Sequence, residues 1–319
     1  MPGNICDVPG VRVGHAADGE GITGCTAVLF DSPAVVGVDV RGSAPGTRET
    51  DLLDPVAWVE ETHALLFTGG SAFGLAAASG VVDLLEERGV GYDTRAARIP
   101  LVPAAVIYDL AIGSTAARPD AAMGYRAAAA AESDDFPRGT AGVGTGATVG
   151  KILGMERAMK GGLGSASVQL PGGTVVAALA AVNAFGDVRD PQTGRILAGP
   201  RLEDGTPGDS LELMMDAMAR FGWGESTTLG LVATNARLTK PGVTRISRMA
   251  QDGLARTVYP AHTSVDGDTV FAASVPAGDE VTAFADVVGA WGARAMQEAV
   301  LDAVRSAEPL GGVPAANGP

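Results

Sequence analysis

"GWGESTTLGLVATNAR", residues 222–237, joins a turn-rich lead-in to an apolar run. From Thr227 onward the chain reads as a buried strand, with Leu229, Leu231, Val232 and Ala233 in close succession. Two hydroxyls, Thr227 and Thr228, stand at the junction. A threonine there can simply cap a turn or a strand edge. It can also be a nucleophile whose own α-amine, freed by cutting the peptide bond before it, acts as the base. An α-amine titrates at about 7.7–8.0, close to working pH, which suits that task.

The segments around this strand define the fold class. "SVQLPGGTVVAALAAVNAFGDV" (167–188) reads as a hairpin turning at Pro-Gly-Gly. The helix "DSLELMMDAMARFG" (209–222) precedes Thr227. A helix around "PGVTRISRMAQDGLARTV" (241–258), the strand "TVFAAS" (269–274) and a closing helix over 280–307 follow it. Nearer the N-terminus, "VRVGHA", "GCTAVLF" and "AVVGVDV" are short strands broken by Gly and Pro. "SAFGLAAASGVVDLLEERGVGY" (71–92) is the clearest helix, capped by Ser71, with Leu75, Val82, Leu84 and Leu85 on its apolar face. "AAMGYRAAAAAES" (121–133) is a second. Residues 192–208 read as a polar surface loop and 311–319 as a disordered tail. This mixture of ββ and βα order predicts an α+β layered sandwich in one domain, 1–319, rather than a doubly wound parallel sheet.

Composition limits the partners. The 319 residues include 46% apolar ones and 45 glycines, which fits a globular core with many tight turns. The net charge of −14 argues against nucleic acid, whose phosphates it would repel. No apolar stretch approaches the length of a membrane span. Cys6 and Cys25 are too few for a disulfide framework, and with no leader-like N-terminus the expectation is a cytoplasmic protein.

Most familiar motifs fail. "GVGTGATVGK" (142–151) looks like a phosphate loop, but a Walker pattern needs Gly at 145 and Ser or Thr at 152, where Thr145 and Ile152 stand. The dinucleotide pattern from Gly144 meets Val149 where it needs Gly. His15, His63 and His262 form no zinc spacing, so neither a metal nor another cofactor is expected. A Ser-His-Asp triad drawn from distant segments stays open, but there is no G-x-S-x-G elbow. Two features remain. Asp266 and Asp268 flank Gly267 in "HTSVDGDTVFAAS" (262–274), either as an Asp-Gly turn or as a carboxylate pair that holds the ammonium and hydroxyl of Thr227. Asn183 ends an apolar strand, as a turn residue or as an amide donor to an oxyanion.

The stretches "VPGVRVGH", "RGSAPGTRETDLL", "FTGGSAFGLAAASGV", "IPLVPAAVIYDL", "GVGTGATVGK", "GGLGSAS", "VNAFGDV", "STTLGLVATNA" and "DGDTVFA" resemble, nearly end to end, the L-aminopeptidase/D-esterase and β-aminopeptidase family, which includes the nylon-oligomer hydrolase. The resemblance implies a four-layer α/β/β/α sandwich, shared in type with ornithine acetyltransferases. It also implies a precursor that cuts itself before a Ser or Thr. Carried onto this chain, the scissile bond is Ser226–Thr227, and the fragments are 1–226 and 227–319. Thr227 then becomes the nucleophile, and Asn183 the oxyanion donor. Tyr108 lines the substrate pocket, and Lys151 lies near the nucleophile on the substrate side. Asp266 and Asp268 match the acidic pair of the nylon-hydrolase type. The chain departs from that type at Ser226, where many relatives carry Asn.

The implied function is hydrolysis at the N-terminal residues of small peptides, amides or esters, with nylon-type oligomers in view. The implied assembly is a homotetramer of αβ units. The alternatives are an acyltransferase of the ornithine acetyltransferase type and an uncut, inactive scaffold.

Overall fold

The computed structural model describes residues 1, 3–217, 226–276 and 281–317. Its main strands are β1 (Val11–Asp18), β2 (Thr23–Val40), β3 (Thr62–Thr68), β4 (Ala104–Val106), β5 (Gly162–Gln169), β6 (Val175–Asn183), β7 (Thr227–Thr234) and β8 (Thr269–Ser274). Its helices are α1 (Ala77–Glu87), α2 (Ala121–Ala129), α3 (Ser210–Ala217), α4 (Lys240–Ala255) and α5 (Ala285–Arg305).

β2 belongs to two sheets at once. Its first part pairs antiparallel with β1 and β3, and its last part, from Val35 to Val40, pairs antiparallel with β8. The order β5-β6-β7-β8-β2 forms one sheet, and β2-β3-β4 with β1 forms the other. Residues 24–30 and 34–40, expected as separate strands, are therefore one strand. Its register shifts between Leu29 and Ala34, so Pro33 falls in an irregularity that needs no ladder hydrogen bond.

Side-chain alternation stacks the layers. In β6, Ala177, Leu179 and Ala181 face one core, while Val176, Ala178, Ala180 and Val182 face another. β7 sends Leu229, Leu231 and Ala233 to the first core, and β8 sends Phe271 and Ala273. From the other sheet, Val28, Leu65 and Phe67 enter the same core, and Phe67 meets Phe271 at 6.0 Å between ring centroids. The opposite faces pack on helices. Val243, Ile246, Leu254, Met296 and Val300 of α4 and α5 cover one sheet. Val81, Leu84, Leu85, Met123 and Ala127 of α1 and α2 cover the other. The result is the expected α/β/β/α sandwich. Strands buried on both faces explain why they read as near-continuous apolar runs. β7 and β8 are parallel, and α4 supplies the crossover between them.

Four local expectations change. Ser71 does not cap α1 through its side chain. It opens a 3-10 turn, Ser71–Ala76, at φ 53, and α1 begins only at Ala77. The 192–208 loop contains a short strand, Ile196–Ala198, paired with Asp187–Arg189. The 311–317 tail is packed: Val313 sits against Ile22 and Ile112, and Pro314 O accepts the Lys160 N–H at 2.7 Å. Asp266–Gly267–Asp268 is not a reversing turn, because it bonds alongside residues 41–44: Ala44 N–H donates to Asp266 O at 2.9 Å and Arg41 N–H to Asp268 O at 3.0 Å. The end of the helix expected over 209–222 and the lead-in 222–225 lie outside the described residues.

Candidate active site

The C-terminal end of β6 and the N-terminal ends of β7 and β8 meet at one edge of the sandwich. Register places Asn183, the last residue of β6, opposite Thr227, the first of β7. The residue before β7 is held from the other side, because Ser226 bridges Asp266 in parallel. Ser226 N–H donates to Val265 O at 2.9 Å, and Gly267 N–H donates to Ser226 O at 2.8 Å. Thr227 Oγ1 also donates to Ser226 O, at 2.6 Å. The carbonyl before Thr227 thus receives two donors, one of them the threonine's own hydroxyl. Gly267 must be glycine for this approach: a Cβ there would lie 2.6 Å from Ala44 O and 2.7 Å from Thr227 Oγ1.

Thr227 opens onto a cavity of about 140 Å³, whose wall includes Ala44, Pro45, Ser71, Ala72, Tyr108 and Ser226. Among the described residues, no formally charged side chain lines it. The expected pocket residue Tyr108 is therefore present.

Asp266 and Asp268, two residues apart in extended chain, are both buried. Asp268 Oδ1 accepts the Thr228 N–H at 2.7 Å, and its Oδ2 accepts the His262 N–H at 2.9 Å and lies 2.8 Å from His262 Nδ1. Asp266 Oδ2 accepts from Thr263 N–H at 2.9 Å and Thr263 Oγ1 at 2.6 Å. Among the described residues, its Oδ1 receives only the long Phe185 N–H contact of 3.4 Å. Burial, reinforced by the charge of Asp268, pushes Asp266 up to about 6, against the pull of the Thr263 and Phe185 donors. The two acids therefore differ. Asp268 is tied on both oxygens, whereas Asp266 keeps one lightly engaged oxygen and titrates near neutrality.

Lys151 lies behind the cavity wall rather than on it. Its Nζ donates to Asn183 O at 3.0 Å, Asn183 Oδ1 at 2.9 Å and Ser226 Oγ at 3.3 Å. Burial lowers it to about 7, with Asp266 and Asp109 the chief opposing charges. Asn183 Oδ1 also accepts the Thr148 N–H at 3.0 Å, and its Nδ2 donates to Tyr108 O at 3.0 Å. One amide hydrogen of Asn183 is thus committed to the backbone of Tyr108. Next to it, Asp109 accepts from Gly70 N–H at 2.6 Å and Thr23 Oγ1 at 2.7 Å, which ties the Tyr108 segment to the loop carrying Ser71.

The structure thus brings together all seven residues singled out from the sequence: Tyr108, Lys151, Asn183, Ser226, Thr227, Asp266 and Asp268. Sequence reasoning missed His262, Gly267 and Thr263. The sequence offers His262 as a metal ligand or a triad member but not as a partner of these acids, although it stands four residues before Asp266. Among the described residues, no group of three or more His, Cys, Asp or Glu side chains is placed to hold a metal ion, and no helix is long and apolar enough to cross a membrane.

Comparison with known proteins bears on this site. Residues 3–316 match the profile of peptidase family S58. An uncharacterized aminopeptidase of Mycobacterium bovis is 44% identical, over 98% of this chain and 96% of its own length. A 6-aminohexanoate-oligomer endohydrolase of Kocuria sp. is 31% identical, over 94% of this chain and 85% of its own. Among solved structures, an L-aminopeptidase D-Ala-esterase/amidase of Ochrobactrum anthropi, described as a variant of the Ntn hydrolase fold, superposes with a TM-score of 0.73 at 20% identity, covering 98% of this chain and 88% of that one. A Burkholderia sp. β-aminopeptidase gives 0.67 at 23% identity, covering 96% and 88%.

Proposed function

From the premise that the chain belongs to peptidase family S58, and is a hydrolase of its aminopeptidase class with the Ntn hydrolase fold, we propose that Thr227 is the nucleophile and is exposed by self-cleavage. The observation that carries this reading is the convergence of Thr227 Oγ1, at 2.6 Å, and Gly267 N–H, at 2.8 Å, on the carbonyl of Ser226. A hydroxyl sits against the bond it would cut, and a fixed donor faces the oxygen on which charge would develop.

In the uncut chain, Thr227 Oγ attacks the carbonyl carbon of Ser226 and its proton passes to Asp266, which precedes the Gly267 N–H donor to that carbonyl and whose carboxyl is pushed up to about 6. The Ser226 C–N bond breaks, and the nitrogen takes a proton to become the α-amine of Thr227. Water then opens the resulting ester, leaving a Ser226 carboxylate and a free Thr227 hydroxyl. The fragments are 1–226 and 227–319. In turnover the amine takes the Oγ proton as Oγ attacks a substrate amide or ester carbonyl, and water releases the acyl group. Asn183, anchored through Lys151 and the Tyr108 carbonyl, faces this step from the opposite strand, and Tyr108 lines the cavity wall.

The substrates in this reading are small peptides, amides or esters attacked at their N-terminal residue. The activity of the Kocuria relative extends this to aminohexanoate oligomers as a second class to assay. The cut units assemble into tetramers in the cytoplasm. The projecting Val56 and Trp58, about nine-tenths exposed on a loop whose carbonyls Lys240 Nζ pins, support such contacts between copies. Denaturing mass measurement of wild type and Thr227→Ala tests the core of the proposal. Wild type should yield a small fragment whose N-terminal residue is Thr227, and the variant a single inert chain of 32.0 kDa. An active Thr227→Ala chain, or a small fragment beginning elsewhere, refutes it.

A further inference from the structure

Building on the reading of Thr227 as the nucleophile, we infer that His262 is a positioning residue that sets Thr227 against the Ser226 carbonyl by clamping Asp268. His262 is a non-glycine residue in the left-handed region, at φ 58. Such a conformation costs free energy and persists where surrounding structure enforces it. Here it folds the residue back so that its backbone N–H and its ring Nδ1 reach the same oxygen, Asp268 Oδ2, at 2.9 and 2.8 Å. The other oxygen of that carboxylate takes the Thr228 N–H at 2.7 Å. A continuous link therefore runs from the imidazole through one carboxylate to the peptide that follows the nucleophile.

The ring's tautomer follows from its partner. An ionised carboxylate only accepts, so Nδ1 carries the proton. Nε2 is buried and has no partner among the described residues, so nothing competes to turn the ring away. Asp268 held at three points cannot rotate without losing the Thr228 N–H, and Thr228 is paired with Val182 of β6 in the register that sets Thr227 opposite Asn183. A residue needed only for its left-handed backbone would be equally well served by glycine or asparagine, both of which accept positive φ. A clamp requires a donor at the Nδ1 position. Asparagine supplies one from its Nδ2, and glycine supplies none.

The test follows scission of the Ser226–Thr227 bond in chain freshly made by cell-free translation. The rate is read by denaturing mass spectrometry for wild type, His262→Asn, His262→Gly, Asp268→Asn and the His262→Gly/Asp268→Asn double variant, with folding monitored by circular dichroism. The expected result is a His262→Asn rate within about threefold of wild type and a His262→Gly rate slower by about tenfold or more, the size of effect set by one hydrogen bond to a charged acceptor. Adding His262→Gly to Asp268→Asn should slow scission less than about twofold further, because both changes break one clamp. Equal rates for the Gly and Asn variants overturn the inference, as do effects of His262→Gly and Asp268→Asn that multiply in full. If the Gly variants do not fold, a folded His262→Asn chain that cuts tenfold more slowly overturns it alone. A wild-type chain that stays whole overturns the nucleophile reading of Thr227 together with this inference, whereas a cut wild type beside unaffected variants removes only the role of His262.

Discussion

Replacing Lys151 with methionine separates the cost of burying its charge from the bonds it makes. Lys151 is lowered from 10.5 to about 7 by burial, while Asp266 and Asp109 pull it back up. Its folded value is therefore below its unfolded one. Between about pH 7 and 10.5 the unfolded chain carries a proton on this nitrogen that the folded chain has released. Stability must rise with pH across that window, and the contribution is lost as pH falls through about 7. One proton of difference corresponds to a slope of about 1.36 kcal/mol per pH unit. Lys160, also lowered to about 7 by burial, adds a second slope of the same sign. Lys151→Met removes one of the two, so from pH 8 to pH 10 the variant should fall behind its parent by about 2.7 kcal/mol.

The comparison is made in a Thr227→Ala background, so that every chain is a single uncut polypeptide, with urea unfolding curves at pH 8, 9 and 10. At pH 8 the two effects of the substitution oppose each other: the cost of stripping Lys151 of its proton on folding is removed, but Asn183 Oδ1 and Ser226 Oγ lose a donor. The sign of the difference at pH 8 is thus set by their balance, whereas its change with pH is set by the proton count alone. A variant with the parent's slope would mean that Lys151 stays charged when folded. Attraction to Asp266 and Asp109 would then outweigh desolvation, and Lys151 would stay an ammonium beside Ser226.

Asp266→Asn tests the proton acceptor. Self-cleavage in wild type should accelerate as pH rises through about 6 and then level off, and the variant should lack that inflection, as read from initial rates between pH 5 and 8. Because Asp266 is raised from 3.8, its contribution to stability is present below that value and is lost as pH rises through about 6, so the same variant should gain up to about 3 kcal/mol at pH 8 by urea unfolding. Gly80→Ala should cost about 2 kcal/mol in the same assay, since its Cβ would lie 1.7 Å from Ala121 O where α1 crosses α2, an overlap that outweighs the helix-propensity gain. Gly19→Ala, with nothing within 4 Å, serves as the neutral control.

Periodicity made the strands and long helices legible. β8 falls on "TVFAAS" without adjustment, and the Pro-Gly-Gly hairpin joins β5 to β6 as read. Elements whose shape depends on distant contacts were not legible. The continuity of β2 through Pro33 depends on neighbours in two sheets. The order in the tail depends on Ile22 and Ile112, which are distant from Val313 in sequence. At the site, residue types pointed to the acids and hydroxyls, but the difference between Asp266 and Asp268 is a matter of which oxygens receive donors. His262 escaped notice for the same reason: its significance is one hydrogen bond made from an unusual backbone conformation.

The pairing around Thr227 also bears on what a cut would do to the fold. A break between Ser226 and Thr227 severs no ladder. Ser226 stays bonded to Val265 and Gly267, and β7 stays zipped to β6 on one side and β8 on the other along its length. The small fragment would contribute β7, β8, α4 and α5, whose apolar side chains form much of two cores, and β8 is further paired with β2 of the large one. Residues 227–319 could leave only by unfolding both sheets' shared interior. Scission at this bond therefore changes the chemistry of one residue, giving it an amine, while the burial that stabilises the sandwich is preserved. In the proposed reading, that separation would let the chain place a base within its own nucleophile without dismantling either core.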